Sequence, residues 1–268
     1  MIAIARSAVK SSASVIDKVR TPPTGVTILI YHRVGAGSGG EMDLPPEAFD
    51  IQLQWLNEQR QVITLDDAVD LVTGNTDRQV TGREVALTFD DGTEDWVDNV
   101  LPALERHHTP AAFYVATSFI SQSSAAAPAL SWSGLGELAS SNLVTIGSHT
   151  HGHMLLDRLD ADRTAQELDR SIDLLEEHTG STPQHFAYPK AVLGSPAAEA
   201  AVRSRFRSAV IAGTRPNPLG TDPFRLHRSP IQASDDQRWF QKKAAGGMRA
   251  EDDLRRTANR LRYRGLES

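Results

Sequence analysis

The stretch from Glu84 to Gly92, EVALTFDDG, decides the fold of this chain. Its first six residues, ending at Phe89, show little alternation between polar and apolar side chains. That pattern is typical of a strand that is buried on both faces of a parallel sheet. The strand runs directly into two adjacent aspartates, Asp90 and Asp91. The sequence therefore predicts a buried strand whose end carries two carboxylates.

Outward from this stretch, short apolar strands alternate with helical patterns. Further strands are predicted at Val26 to Tyr31, Gln61 to Thr64, Ala111 to Ala116, Leu143 to Gly147, His185 to Tyr188, Ser208 to Ile211 and Phe224 to Leu226. Such alternation predicts an α/β fold with a mostly parallel sheet, either open and doubly wound or closed into a barrel. Every polar cluster follows the end of a strand, and the strand ends of a (β/α) barrel share one mouth. This coincidence favours the barrel.

The composition excludes several classes of protein. The chain has 28 Lys and Arg against 34 Asp and Glu, a net charge of −6, so we expect no nucleic-acid partner. It contains no apolar run long enough for a membrane-spanning helix. Because there is no cysteine, disulfides and thiolate metal sites are excluded. Any metal ion must then be bound by histidines and carboxylates.

The first 20 residues resemble a targeting segment only faintly. Arg6 and Lys10 interrupt the apolar residues, and the longest apolar run, Met1 to Ala5, is shorter than the roughly 7–15 residues of a signal peptide. We therefore expect residues 1–20 to be an N-terminal tail and residues 21–268 to be a single domain. The default expectation is a cytoplasmic protein, with the cell envelope or secretion as the alternative.

A second polar cluster is GSHTHGH, from Gly147 to His153. His149 and His153 lie four residues apart, which places both imidazoles on one side of a helical turn. Together with the carboxylate of Asp91 they form a donor set suited to Zn²⁺, Fe²⁺, Co²⁺ or another divalent ion. Adjacent carboxylates repel each other when both ionise in a cleft, so one ligand and one general base is the simplest division of roles. A helix cap at the aspartates and a polar surface loop at the histidines are the alternatives.

Three further polar segments follow predicted strands. In FAYPK, Phe186 to Lys190, the backbone N–H of Lys190 is a candidate donor to an oxyanion. A strand that simply ends at a proline is the alternative. YHRV contributes His32, and RLHR contributes His227 and Arg228. Taken alone, residues of these types at strand ends are more often structural or solvated than catalytic.

Three motifs, taken in their order along the chain, resemble those of the polysaccharide deacetylase family, also called the NodB-homology or carbohydrate esterase family 4 domain. They are TFDDG, GSHTHGH and FAYP. The resemblance covers Ile28 to Pro230, and the adjacent aspartates and the H-[Ser/Thr]-x-x-H spacing are its specific parts. The YHRV segment resembles the branch that includes enzymes acting on exported poly-N-acetylglucosamine. The resemblance implies a single distorted (β/α)7 barrel, a catalytic domain over residues 21–268, and metal-dependent removal of N-acetyl groups from a carbohydrate.

The resemblance also implies roles for individual residues. Asp90 corresponds to the general base. One divalent ion, expected to be Zn with Co, Fe, Ni or Mn as alternatives, is implied at a carboxylate and two imidazoles: Asp91, His149 and His153. In the YHxV branch the general acid is the N-terminal histidine, which here is His32, and His227 is the alternative.

The sequence departs from the family pattern in the third motif. Ala187 stands where the family has an arginine, and Lys190 stands where it has a tyrosine. Arg228 is the candidate replacement for the missing arginine. The other candidates for substrate and oxyanion binding are the rest of this segment and one tryptophan elsewhere: Tyr188, Pro189, Lys190 and Trp132.

Two other functions stay open at this point. The same barrel could hydrolyse another non-peptide C–N bond or an O-acetyl ester, or the chain could bind glycans without catalysis. The missing arginine favours the binding protein, whereas the complete set of aspartates and histidines argues against it. A glycan enzyme needs an open cleft with exposed aromatic side chains, for which Trp132 and Tyr188 are the candidates.

Overall fold

The computed structural model describes residues 22–122, 127–250 and 252. The expected N-terminal tail, residues 1–20, and nearly all of a charged helix predicted over residues 250–264 lie outside them. The strands are β1 Thr27–Tyr31, β2 Arg33–Val34, β3 Asp43–Leu44, β4 Gln61–Val62, β5 Glu84–Asp91, β6 Ala111–Val115, β7 Val144–Ser148, β8 His185–Ala187, β9 Ser208–Ala212 and β10 Leu226–Pro230. The helices are α1 Pro46–Gln59, α2 Leu65–Thr73, α3 Leu101–His107, α4 Trp132–Ser140, α5 Ala161–Thr179, α6 Pro196–Arg203 and α7 Gln237–Ala244, with short helical turns at Trp96–Val100, Leu156–Arg158 and Pro189–Ala191.

Seven parallel strands form a closed barrel in the order β1, β10, β9, β8, β7, β6, β5. The ring closes because β1 also pairs with β5, with Ile28 opposite Ala86 and Ile30 opposite Thr88. This pairing excludes an open doubly wound sheet and confirms the predicted (β/α)7 barrel. Outside the ring, β4 pairs with the first two residues of β5, and β2 pairs with β3. No helix in the described part of the chain is long and apolar enough to cross a membrane.

Successive side chains along the strands lie in two different apolar environments, one outside the barrel and one inside it. On β5, Val85, Leu87 and Phe89 belong to the core between the barrel and the helices. Successive side chains of a strand point to opposite faces, so Thr88 and Asp90 face the barrel interior. Because β5 is apolar on its outer face, its alternation fixes Asp90 inside the barrel.

The sequence also predicts a helix start at Thr64 and a helix stop at Gly180, and both are confirmed. Thr64 caps α2, since its Oγ1 accepts a hydrogen bond from Asp67 N at 3.1 Å. Gly180 ends α5 in the left-handed conformation, with φ 71°, which glycine adopts without steric cost.

The last strand lies further along the chain than predicted. We predicted Phe224 to Leu226, whereas β10 spans Leu226–Pro230. A turn at Asp222 delays the strand: its side chain accepts from Phe224 N at 3.0 Å and its carbonyl accepts from Arg225 N at 3.0 Å. The shift places Arg228 within the strand rather than after it.

Candidate active site

The carboxyl ends of the strands bring three predicted ligands together. Asp91 ends β5, and His149 follows β7 directly. Nε2 of His149 lies 3.8 Å from Oδ1 of Asp91, and Nε2 of His153 lies 3.6 Å from the same oxygen. One donor atom from each of the three residues lies within 4.8 Å of the others. Among the described residues, these three form the group of His, Asp and Glu side chains that could hold a metal ion.

His149 is oriented by a backbone carbonyl. Its Nδ1 lies 2.7 Å from the carbonyl oxygen of Ala187, and its ring is buried. A carbonyl only accepts, so Nδ1 carries the proton and the lone pair of Nε2 faces Asp91. Ala187 thus orients a predicted ligand through its backbone, at the position where the family pattern has an arginine.

His153 is kept neutral by its surroundings. Burial, and then repulsion from His149, lower the pKa of His153 to about 4. Its ring lies 5.4 Å from that of Phe119, in the segment after β6. Neutral imidazole is the form that ligates a metal ion. Together with the fixed tautomer of His149 and the carboxylate oxygen of Asp91, the neutral imidazole of His153 completes a donor set that fits one divalent ion.

Backbone strain concentrates around the cluster. Five residues with side chains adopt positive φ here: Asp91 at 89°, Thr150 at 66°, His153 at 54°, Lys190 at 52° and Ala191 at 57°. Such conformations cost on the order of 1–3 kcal/mol each and persist only where the surrounding structure determines them. This concentration is typical of a functional site.

Asp90 points into the barrel beside the cluster. Both of its oxygens accept hydrogen bonds from Arg228, at 2.6 and 2.7 Å, and both side chains are buried. Burial alone would raise the pKa of Asp90, but the charges of Arg228 and His149 outweigh it and lower the pKa to about 2. Asp90 is therefore ionised at neutral pH, and its carboxylate lies 3.8 Å from His149 Nε2.

Arg228 is itself fixed by three neighbours. Nη1 also donates to Oγ1 of Thr88 at 3.0 Å, and that hydroxyl donates to the carbonyl of Leu29 at 2.8 Å. The guanidinium lies 5.3 Å above the ring of Tyr114, in the geometry of a cation–π contact. The structure thus places Arg228, the candidate replacement for the missing arginine, directly on Asp90.

His32 lies between β1 and β2, in a segment held by the chain that follows β5. Trp96 Nε1 donates to the carbonyl of His32 at 2.7 Å, and Asp95 accepts from the N–H of Val34 at 2.7 Å. Burial lowers the pKa of His32, against opposing attraction from Asp91 and Asp90. Both carboxylates are thus electrostatic neighbours of the His32 ring.

The alternative histidine lies on the other side of its strand. His227 precedes Arg228 on β10, and adjacent residues of a strand face opposite sides of the sheet. Its ring lies against Gly213, where a Cβ would approach Nδ1 to 2.5 Å. Since Arg228 faces the barrel interior, His227 faces outward. The structure brings His32, and not His227, to the cluster.

One predicted substrate contact, Tyr188, needs correction, and a second, Trp132, stays a prediction. Tyr188 was expected as an exposed aromatic of a glycan groove, but it is fully buried and packs edge-to-face on Phe186 at 5.1 Å. The alternation of β8 puts Ala187 inside the barrel and both aromatics outside, against α6. The ring of Trp132 stacks on His178 of α5, with centroids 3.9 Å apart. The ring of Trp132 thus contacts a helix outside the barrel, and no described ring contact joins it to the metal-ligand cluster.

The turn after β8 lies close to the cluster. Pro189 is buried, and the exposed Lys190 carries the charge that adds to the lowering of the pKa of His153. Sequence reasoning missed a second cation: Arg33 Nη2 lies 4.0 Å from Asp91 Oδ2. Its position next to His32 was the available signal.

The opposite end of the barrel holds a separate polar network. A cavity of about 240 Å³ is lined by Asp66 and His185 among others. Asp66, whose sequence position inside the capping box that begins at Thr64 predicts only a helix-capping role, lies 3.2 Å from His185 Nε2 and pairs with Arg207. Ser208 Oγ lies 2.8 Å from His185 Nδ1, and both residues are fully buried. This network ties α2 to β8 and β9.

The fold and the donor set define an α/β-barrel protein with a candidate metal site at the mouth of the barrel. Residues 77–208 match the family model described as polysaccharide deacetylase. That segment contains both aspartates and both histidines of the cluster, whereas His32 and Arg228 lie outside it. Residues 77–208 are thus assigned to the polysaccharide deacetylase family.

Individual relatives agree with this assignment. YxkH of Bacillus subtilis (strain 168), whose own polysaccharide deacetylase assignment is provisional, is 25% identical over 209 residues, which cover 77% of this chain and 71% of YxkH. The structure of IcaB from Ammonifex degensii has a TM-score of 0.73 at 25% identity, over 84% of this chain and 98% of that one. The Streptococcus pyogenes deacetylase PplD, solved with acetate, shares the fold at a TM-score of 0.71 and 21% identity, over 84% and 99%.

Proposed function

We propose that the protein is a metal-dependent hydrolase that removes N-acetyl groups from a carbohydrate containing N-acetylated amino sugars. One observation carries the proposal: a carboxylate that Arg228 holds ionised, Asp90, lies directly beside a set of two imidazoles and one carboxylate. A base next to a set of metal donors is the arrangement required for hydrolysis by an activated water.

The metal ion would be held by Asp91, His149 and His153. When bound there, a divalent ion supplies a Lewis acid that polarises a carbonyl and lowers the pKa of water. Two imidazoles and one carboxylate suit Zn²⁺ well, with Co²⁺, Fe²⁺, Ni²⁺ and Mn²⁺ as alternatives.

Asp90 is proposed as the general base. Its two oxygens are fixed by Arg228, so the carboxylate cannot rotate away from the cluster. It accepts the proton of the water that attacks the acetyl carbonyl. The low pKa keeps Asp90 in the ionised form across the whole neutral range.

His32 is proposed as the general acid. Burial lowers the pKa of its imidazole, so His32 takes up one proton from solvent as negative charge develops on the acetyl group and favours its protonated form. It donates a proton to the leaving nitrogen, because an amide nitrogen leaves readily only after protonation. An ester oxygen depends less on such a donor, so a half-buried histidine beside the base favours N-acetyl over O-acetyl substrates.

The choice of carbohydrate rests on the family and on two further similarities. The YHRV segment resembles the branch that includes enzymes acting on poly-N-acetylglucosamine, and the IcaB likeness extends over 98% of that chain. Lys190 and Arg33 lie beside the cluster as candidate contacts for the polar groups of a sugar. We therefore propose oligomers or precursors of N-acetylglucosamine as the substrate class.

The test is acetate release from short N-acetylglucosamine oligomers and, in parallel, from O-acetylated xylo-oligosaccharides. The full chain is stripped of metal, reloaded with Zn²⁺ or Co²⁺, and compared with Asp90→Asn. Metal-dependent release from the amide, lost in the variant, is the expected result. Release from the ester alone would replace the proposal with an O-deacetylase, and a bound ion without release from either would contradict it.

A further inference from the structure

The loop that joins His149 to His153 is held against α5 by one residue. Glu167 Oε2 accepts a hydrogen bond from the backbone N–H of Gly152 at 2.6 Å. The backbone carbonyl of Glu167 accepts a second one from the N–H of His151 at 3.1 Å. Two consecutive N–H groups of the loop are therefore bound by Glu167, through its side chain and its main chain.

Gly152 leaves room for this contact. A Cβ at residue 152 would lie 3.1 Å from Glu167 Oε1 and 3.4 Å from Oε2, so the carboxylate would have to move by a few tenths of an ångström. The φ angle of Gly152 is not positive, unlike those of Thr150 and His153. A Cβ at residue 152 would thus crowd the carboxylate of Glu167.

The loop depends on braces from outside because its own backbone is unfavourable. Thr150 and His153 both adopt positive φ, which residues with a Cβ rarely do. The segment after β6 braces the middle of the loop: Ser118 N donates to the carbonyl of His151 at 2.9 Å. Glu167 braces the residue directly before His153.

We propose that Glu167 is a positioning residue for the candidate metal site. Its carboxylate fixes Gly152 and thereby the direction in which His153 faces Asp91. The inference rests on the proposed function, since it assigns Glu167 to the metal site of that hydrolase. Glu167 acts through the backbone of the loop.

Metal affinity, measured without substrate, tests the proposal. The metal-free full chain is titrated with Co²⁺ and binding is followed by visible absorption. Glu167→Ala should weaken Co²⁺ binding about 10- to 100-fold, as is typical when a group that orients metal ligands is removed. Glu167→Gln keeps an oxygen that can accept from Gly152 and should restore most of the affinity. Glu177→Ala, which removes an exposed carboxylate from the same helix, should bind Co²⁺ like the wild type.

Gly152→Ala probes the same contact from the other side. It should weaken Co²⁺ binding in the wild type but add nothing to Glu167→Ala, because the carboxylate that the new Cβ displaces is then absent. If Glu167→Ala does not fold, Gly152→Ala alone decides: an unchanged Co²⁺ dissociation constant overturns the proposal.

The outcomes separate this inference from the proposed function. Wild-type affinity in Glu167→Ala, or an equal loss in Glu177→Ala, overturns the positioning role whatever the activity is. A wild type that binds no Co²⁺ overturns it as well. If Co²⁺ binding follows Glu167 as expected but no acetate is released from any substrate, the positioning role is upheld and the proposed function fails.

Discussion

Each terminal nitrogen of Arg228 donates a hydrogen bond to one carboxylate oxygen of Asp90, although the two residues are 138 positions apart in the sequence. Both side chains are buried. Removing one partner of such a pair leaves the other as a charge without compensation in the interior, which is strongly destabilising. The contact therefore links the charge of the proposed base to the stability of the barrel.

Replacement of the arginine should change both properties. Arg228→Met should lower the free energy of unfolding by about 3–5 kcal/mol. It should also raise the pKa of Asp90, because burial would no longer be opposed by the guanidinium. We expect the acidic limb of kcat/KM to move to higher pH, measured by acetate release between pH 4 and 8. Arg225→Met, at an exposed arginine paired with Glu199, should change neither property appreciably. An acidic limb that stays in place would contradict the assigned contact.

The two adjacent aspartates should respond differently to the same substitution. Asp90→Asn should retain bound metal and lower turnover by about 10²–10⁴, because the general base is removed. Asp91→Asn should lose metal, since a carboxylate ligand becomes a weak neutral donor. Metal content after gel filtration and acetate release, measured on both variants, check the prediction. Near-normal turnover in Asp90→Asn would show that another group is the base.

The pH dependence of stability has a defined sign at Asp90. Its pKa of about 2 in the folded protein lies below the value of about 3.9 for an unfolded chain. Ionisation thus stabilises the folded protein above pH ~4, and this contribution, about 2 kcal/mol, disappears as the pH falls toward 2. Urea unfolding of metal-free wild type and Asp90→Asn should give a difference that shrinks from pH 5 to pH 2. A difference independent of pH would exclude the lowered pKa.

The indole of Trp96 should matter for catalysis through the His32 segment. Trp96→Phe removes the donor to the His32 carbonyl and should cost about 1 kcal/mol of stability from the lost hydrogen bond. We expect kcat to fall more than KM rises, because the proposed acid loses its fixed position. Trp55→Phe, at a tryptophan packed edge-to-face on Phe240 in the outer layer, is the matched control. An equal loss of kcat in both variants would reduce Trp96 to a packing role.

Much of the site could be predicted from the sequence because its parts follow apolar strands. The strand ending at Asp90 and Asp91 and the histidines after β7 were both predicted, and the structure places the three proposed ligands within 4.8 Å. Parallel strands end at one edge, so residues that follow different strands converge there. Topology thus suffices to bring His149 and His153 to the site, but the helical turn predicted for them is wrong, because the segment is a loop in which Thr150 and His153 adopt positive φ.

Residues that depend on which face a strand presents were harder to predict. Tyr188 follows an apolar segment like the others, but the pattern does not show which side faces the barrel, and its ring lies outside. The late start of β10 depends on the turn at Asp222, which carries no apolar signal. The bidentate contact of Arg228 forms only when β10 pairs with β1, which in turn pairs with β5, so no local window of sequence contains it.

The order in which the strands are synthesised has a consequence for the growing chain. Asp90 leaves the ribosome well before Arg228, its partner in the folded protein. Strand β1 also lacks its second neighbour in the ring until β10 has been synthesised. Until then, the barrel interior would enclose a carboxylate without its counter-charge, which disfavours early compaction. We therefore expect the mouth of the barrel to form only after β10 has been translated, so a chain that ends before Leu226 should lack the ordered site.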